Sequence, residues 1–132
     1  MLHHQPPSPM PNLLYLAAFL TALLGIAHSY LGEKYILLRL FRRSDLPTLF
    51  GGTAFTTRTL RFAWHITSVA WLGFAALLMH AGRGDLTANG TLRIIGVTFL
   101  ASGLLPIIIT RGKHLAWVMM FAIGSIALWC AR

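Results

Sequence analysis

Acidic residues are nearly missing from this chain, with three Asp and Glu against eleven Lys and Arg among 132 residues. A site built on paired carboxylates is therefore close to excluded. Charge of either sign is scarce, at 11%, where a soluble domain carries about 25%. Cysteine is down to one, Cys130, which rules out an intrachain disulfide and a cysteine-based zinc site and leaves the redox compartment open. No nucleophile elbow is present, and Phe50-Gly51-Gly52-Thr53 lacks the lysine and the spacing of a phosphate loop.

What the chain does hold is apolar surface, 56% hydrophobic residues gathered into long runs. Four runs predict helical membrane spans at about 13–31, 60–80, 92–110 and 115–131, since about 20 apolar residues cross a hydrocarbon core of about 30 Å. Gly96, Gly103 and Pro106 in the third run are compatible with a span, because neighbouring helices satisfy the freed backbone groups. The expected fold is thus all-α, a single-domain integral membrane four-helix bundle.

Before the first run, Met1 to Asn12 reads as a tail whose four prolines oppose a regular helix, with His3 and His4 as ordinary polar residues. The tail has no Lys or Arg, so the first run is expected to be a retained span and not a cleaved signal peptide. A cytoplasmic loop is predicted over 32–59. Its first part, Glu33 to Arg43, is apolar but interrupted by cations, the pattern of an interfacial amphipathic segment. Asp45 to Thr57, with Pro47 and Gly51-Gly52, reads as loop.

The net charge of +8 raises nucleic acid as a partner, but no basic stripe with interleaved aromatics lies outside the apolar runs. The cations are better read as topology signals and contacts for anionic lipid head groups. One face of the four-span arrangement carries eight of them, Lys34, Arg39, Arg42, Arg43, Arg58, Arg61, Arg111 and Lys113, and the other carries Arg83, Arg93 and Arg132. The positive-inside rule makes the eight-cation face cytoplasmic and points both termini outward.

This topology brings His28, His65 and His114 toward one leaflet and leaves His80 at the other. On the first span Thr21, Gly25, His28 and Gly32 share a helix face, and on the second Arg61, His65, Ser68 and Leu72 do. If these stripes meet, an ionisable cluster lies just inside the membrane, a functional-site hypothesis by default. His28 and His65 suit the axial positions of a haem b, with Arg58, Arg61 or Lys34 receiving its propionates. Alternatively His28, His65, His114 and Glu33 form a donor set for zinc, copper or iron. A quinone head group or a proton relay through His beside Glu33 is a third possibility. The plainer alternative has the histidines hydrogen-bonding across helices and Arg61 pairing with Glu33, interactions worth on the order of 1 kcal/mol in membranes. Trp64, Trp117 and Trp129 read as interfacial anchors, Trp71 as packing, and Met119-Met120 as gap fillers.

The elements His28-Ser29-Tyr30-Leu31-Gly32-Glu33 and Leu60-Arg61-Phe62-Ala63-Trp64-His65-Ile66-Thr67-Ser68, joined by a cation-rich loop with Leu46-Pro47 and Phe50-Gly51, resemble those of small uncharacterised four-span bacterial inner-membrane proteins. The likeness covers about the first half of the chain. It implies a bacterial inner-membrane location and this architecture, and no reaction. The expected function is a non-enzymatic accessory or binding module with a histidine-containing intramembrane site, within a homo-oligomer or larger membrane complex. The rival is a redox carrier binding haem b or a metal through His28 and His65.

Overall fold

The computed structural model describes residues 10–132, so the first nine residues of the tail, with His3 and His4, lie outside the described residues. The fold is all-helical, with four helices in chain order: α1 (Pro11–Leu31), α2 (Ala54–Arg83), α3 (Ala88–Thr110) and α4 (Ala116–Cys130). Pro11 does not oppose α1 but begins it, because a proline in the first turn gives up only an N–H that has no helical partner.

The chain does not leave the helix at Gly32. It continues through a π-helical turn, Gly32–Leu37, and a last short piece, Leu38–Leu40. In the π turn the Leu38 N–H reaches back five residues to the Glu33 carbonyl. Gly32 keeps right-handed helical angles, φ −62° and ψ −46°, so it is no breaker here. Its missing side chain serves packing: a Cβ at this position would overlap the Trp64 indole of α2.

Three helical runs, Pro11–Leu40, Ala54–Arg83 and Ala88–Thr110, are long and apolar enough to cross a membrane. The fourth helix, Ala116–Cys130, is apolar but has 15 residues, about 22 Å at about 1.5 Å per residue. α2 begins at Ala54, earlier than the apolar run at Leu60, and so takes Arg58 into the helix with Arg61. Its far end stops where Gly84 adopts φ 72°, and His80 Nδ1 lies 2.9 Å from Asp85 Oδ1 across the turn. α3 is capped by Thr87, whose hydroxyl accepts the Gly90 N–H at 3.0 Å.

Close packing follows chain order, α1 on α2, α2 on α3 and α3 on α4. Small residues set these seams. Gly25 of α1 faces the Ser68 carbonyl of α2, Gly73 of α2 faces Thr98 of α3, and Gly96 of α3 faces Gly124 of α4. Each lets two backbones approach as a larger side chain would not. Because α1 has no close packing on α3 among the described residues, an open groove of about 540 Å³ runs between them over α2.

The connection between the first helical run and α2 is a folded loop. Arg43 and Asp45 form a two-pronged ion pair at 2.6 and 2.8 Å, and the guanidinium holds the Asp45 carboxyl below its ordinary value. Thr56 Oγ1 donates to the Pro47 carbonyl at 2.8 Å, tying the loop to the start of α2.

Candidate functional site

α1 and α2 meet along the two stripes expected from the sequence, Gly25, His28 and Gly32 against His65 and Ser68 together with Trp64 and Trp71. Within this seam a chain of polar groups runs from one end of the helix pair inward. Arg61 donates to both oxygens of Glu33, from Nη2 to Oε1 at 2.9 Å and from Nε to Oε2 at 3.2 Å. His65 Nε2 lies 3.1 Å from Glu33 Oε2, and His65 Nδ1 lies 2.8 Å from Ser29 Oγ. Ser29 Oγ is in turn 2.7 Å from Ser68 Oγ. Five side chains from two helical runs, Pro11–Leu40 and Ala54–Arg83, thus form one connected network.

The π turn belongs to this geometry. It begins at Gly32 and carries Glu33, and the helical run beyond it ends beside Phe41, whose ring lies under the Arg61 guanidinium at 5.0 Å. The carboxylate is held between a guanidinium and an imidazole, in the kind of charge-assisted contact that is stronger than a neutral hydrogen bond. The Glu33 and Arg61 side chains are about a third exposed, at 31% and 32%, so the pair is not sealed in the interior.

Proton positions follow from the acceptors. Glu33 as a carboxylate only accepts, so the His65 Nε2 facing it carries a proton. In neutral imidazole Nδ1 is then an acceptor, Ser29 donates to it, and Ser68 donates to Ser29. In imidazolium both ring nitrogens donate, and the Ser29 hydroxyl turns toward Ser68. Ser29, His65 and Ser68 also line the open groove, with Ile26, Val69, Leu72 and Leu105 among its apolar walls.

His28 and His65 enter the same seam with different neighbours. The His28 ring lies flat on Trp64, with centroids 4.4 Å apart and planes 3° from parallel, and meets the Trp71 ring nearly edge-on at 4.9 Å. Trp64 Nε1 donates to the His28 carbonyl at 3.0 Å. Trp64 therefore acts as a cross-helix anchor filling the space opposite Gly32. The His28 Nε2 atom is buried without a hydrogen-bond partner.

These contacts do not bring together either of the two cofactor sets expected from the sequence. A haem between His28 and His65 needs a slab of open space, whereas a Cβ on Gly25 would already stand 3.2 Å from the Ser68 carbonyl oxygen. Both His65 nitrogens are engaged, and His28 Nε2 is buried among its neighbours. The residues present do not fit the group. The four-residue metal set does not assemble either: His65 and Glu33 touch, His28 packs on tryptophan, and His114 packs between Phe55 and Phe62 at 5.8 and 4.7 Å. Among the described residues no group of three or more His, Cys, Asp or Glu side chains is arranged to hold a metal ion.

Arg58 also leaves the expected cluster. It lines a separate cavity with Thr110 and Lys113 at the base of the loop. Ser29 and Ser68 were not singled out as site residues by sequence reasoning. The signal for them was helical spacing, since Ser29 flanks His28 and Ser68 lies one turn beyond His65 on the same face. Comparison of the chain with protein families, with curated proteins and with solved structures gives no match.

Proposed function

We propose that this chain is a small multi-pass membrane protein, a non-enzymatic binding or accessory module whose intramembrane site is the network Arg61, Glu33, His65, Ser29 and Ser68. The observation that carries the proposal is the position of that network, hydrogen-bonded throughout yet opening on an apolar groove between helices. In a bilayer such a groove faces acyl chains, and ionisable groups kept at its floor are costly unless they serve a ligand or a proton. The ligand class that suits it is a membrane-soluble molecule with an apolar body and a hydrogen-bonding head. The head would meet His65 and Ser29, with the body along Val69, Leu72 and Leu105.

In the four-span arrangement α4 crosses with its 15 helical residues aided by flanking groups and local thinning of the bilayer. The eight-cation face is then cytoplasmic, both termini lie outside, and the cationic loop contacts anionic head groups at the bacterial inner membrane. A homo-oligomer or a larger membrane complex is the setting expected for so small a bundle.

The test is extraction of the purified protein with organic solvent and mass spectrometry of what is released. One small amphipathic molecule is expected in near-equal amount with wild type and absent from a folded His65→Ala variant. A wild-type preparation with no such molecule, or the same molecule retained by His65→Ala, refutes the binding role. A Soret band lost in His65→Ala would refute it in favour of haem.

A further inference from the structure

We infer that the cavity at the base of the loop is a binding site for one anionic phospholipid, with its phosphate held by Arg58 and Lys113. The first ground is charge. The chain has three acidic residues, and each is committed elsewhere: Glu33 to Arg61 and His65, Asp45 to Arg43, and Asp85 to His80. Among the described residues neither Arg58 nor Lys113 forms an ion pair, and no fourth carboxylate side chain exists in the chain to supply one. Yet the fold brings the two together on one cavity of about 520 Å³, Arg58 from α2 and Lys113 from the turn between α3 and α4. Two cations from separate elements that line one cavity without an internal counter-ion define a site for an external anion.

The second ground is apolar and adjoins the first. The loop folds into a tight turn closed by Leu49 and Gly52, whose N–H groups and carbonyls pair at 2.9 and 3.3 Å. Phe50 stands at its tip with φ 55°, a left-handed conformation that a bulky residue rarely keeps. The residue is 89% exposed, the most exposed large hydrophobic residue among the described ones. It extends an apolar wall made with Leu49 and Phe55, which line the same cavity. A cationic floor beside an exposed aromatic wall matches a phosphate joined to acyl chains, and a free phosphate would leave the wall uncovered. The site rests on the membrane reading above and adds to it a stated lipid at a stated place.

The experiment is native mass spectrometry of the full chain in mild detergent, offered phosphatidylglycerol or phosphatidylcholine with identical acyl chains. Wild type is expected to keep one phosphatidylglycerol in preference to phosphatidylcholine. Arg58→Gln/Lys113→Gln is expected to lose that preference by about thirtyfold, a factor of about five for each cation near a lipid head group. Arg39→Gln/Arg42→Gln, which removes two cations outside the cavity, is expected to keep it. Phe50→Ser is expected to weaken retention without changing the preference. Helical circular dichroism of each variant checks the fold, and should the double variant not fold, each single substitution reads out its own fivefold factor.

Equal loss in the two double variants, no loss in either, or equal retention of both lipids overturns the site. Displacement of the lipid by millimolar glycerol 3-phosphate also overturns it, because the cavity would then hold a small anion only. Carbonate extraction of cell membranes separates this proposal from the one beneath it. Protein that stays in the pellet but shows no adduct refutes the lipid site alone, and release into the supernatant refutes the membrane reading.

Discussion

Gly32→Ala is the most informative single change. A Cβ there would overlap the Trp64 indole, so the ring must leave its place. In leaving it, Trp64 gives up the hydrogen bond from Nε1 to the His28 carbonyl at 3.0 Å and the flat stack on the His28 ring at 4.4 Å. Overpacking of this kind costs about 2 kcal/mol, a cross-helix hydrogen bond in a membrane about 1 kcal/mol, and an aromatic pair about 1 kcal/mol. Alanine returns about 1 kcal/mol through its better helix propensity. The expected net loss is about 3 kcal/mol, read as a lower midpoint for unfolding by SDS in mixed micelles, followed by helical circular dichroism. The same substitution in a Trp64→Leu background should cost nearly nothing, because the smaller side chain leaves room for the methyl group. A Gly32→Ala protein as stable as wild type, or an equal cost in both backgrounds, would refute the claim that Gly32 exists to admit Trp64.

Two further outcomes follow. Glu33→Gln leaves the Arg61 guanidinium without a carboxylate and should destabilise the bundle by about 2 kcal/mol, and Arg61→Met added to it should restore part of the loss, since the unpaired charge is then gone; a double variant no more stable than the single one would sink this account. Cys130, the one cysteine, is exposed at the end of α4 and should react from the outer side of intact cells with a membrane-impermeant maleimide. Labelling only after permeabilisation would overturn the four-span arrangement with an outward C-terminus.

How the site was legible varies residue by residue. Helical spacing of Gly25, His28 and Gly32, and of Arg61, His65 and Ser68, suffices to predict two faces that meet, because that spacing depends only on the helix repeat. It also suggests the pairing of Arg61 with Glu33, since an intramembrane cation needs a counter-ion and few exist. Which ring meets which group is beyond such reasoning. His28 and Ser29 are one residue apart and so point about 100° apart around the helix, and the rotation of α1 against α2 decides which of them His65 touches. That rotation is set by Gly32 fitting Trp64 and Gly25 fitting the Ser68 carbonyl, contacts between residues more than thirty positions apart.

The loop illustrates the same division. Gly32 followed by scattered cations reads as the end of a helix, yet the helix persists to Leu40 through a π turn. The extra residue in that turn is stabilised by tertiary contacts, including Phe41 beneath Arg61, which local preference does not encode.

Sequence by itself determined that the chain is helical and apolar, poor in carboxylates and rich in cations, because these follow from composition and from periodicity within single segments. Tertiary structure decided the rest: that His65 and not His28 joins Glu33, that α1 and α2 pack closely at Gly25, and that Arg58 lines a cavity with Lys113 apart from the Arg61 network. The reason is that a helix repeat specifies which residues share a face, while the depth and rotation at which two faces lock depend on the shape of side chains far apart in the chain.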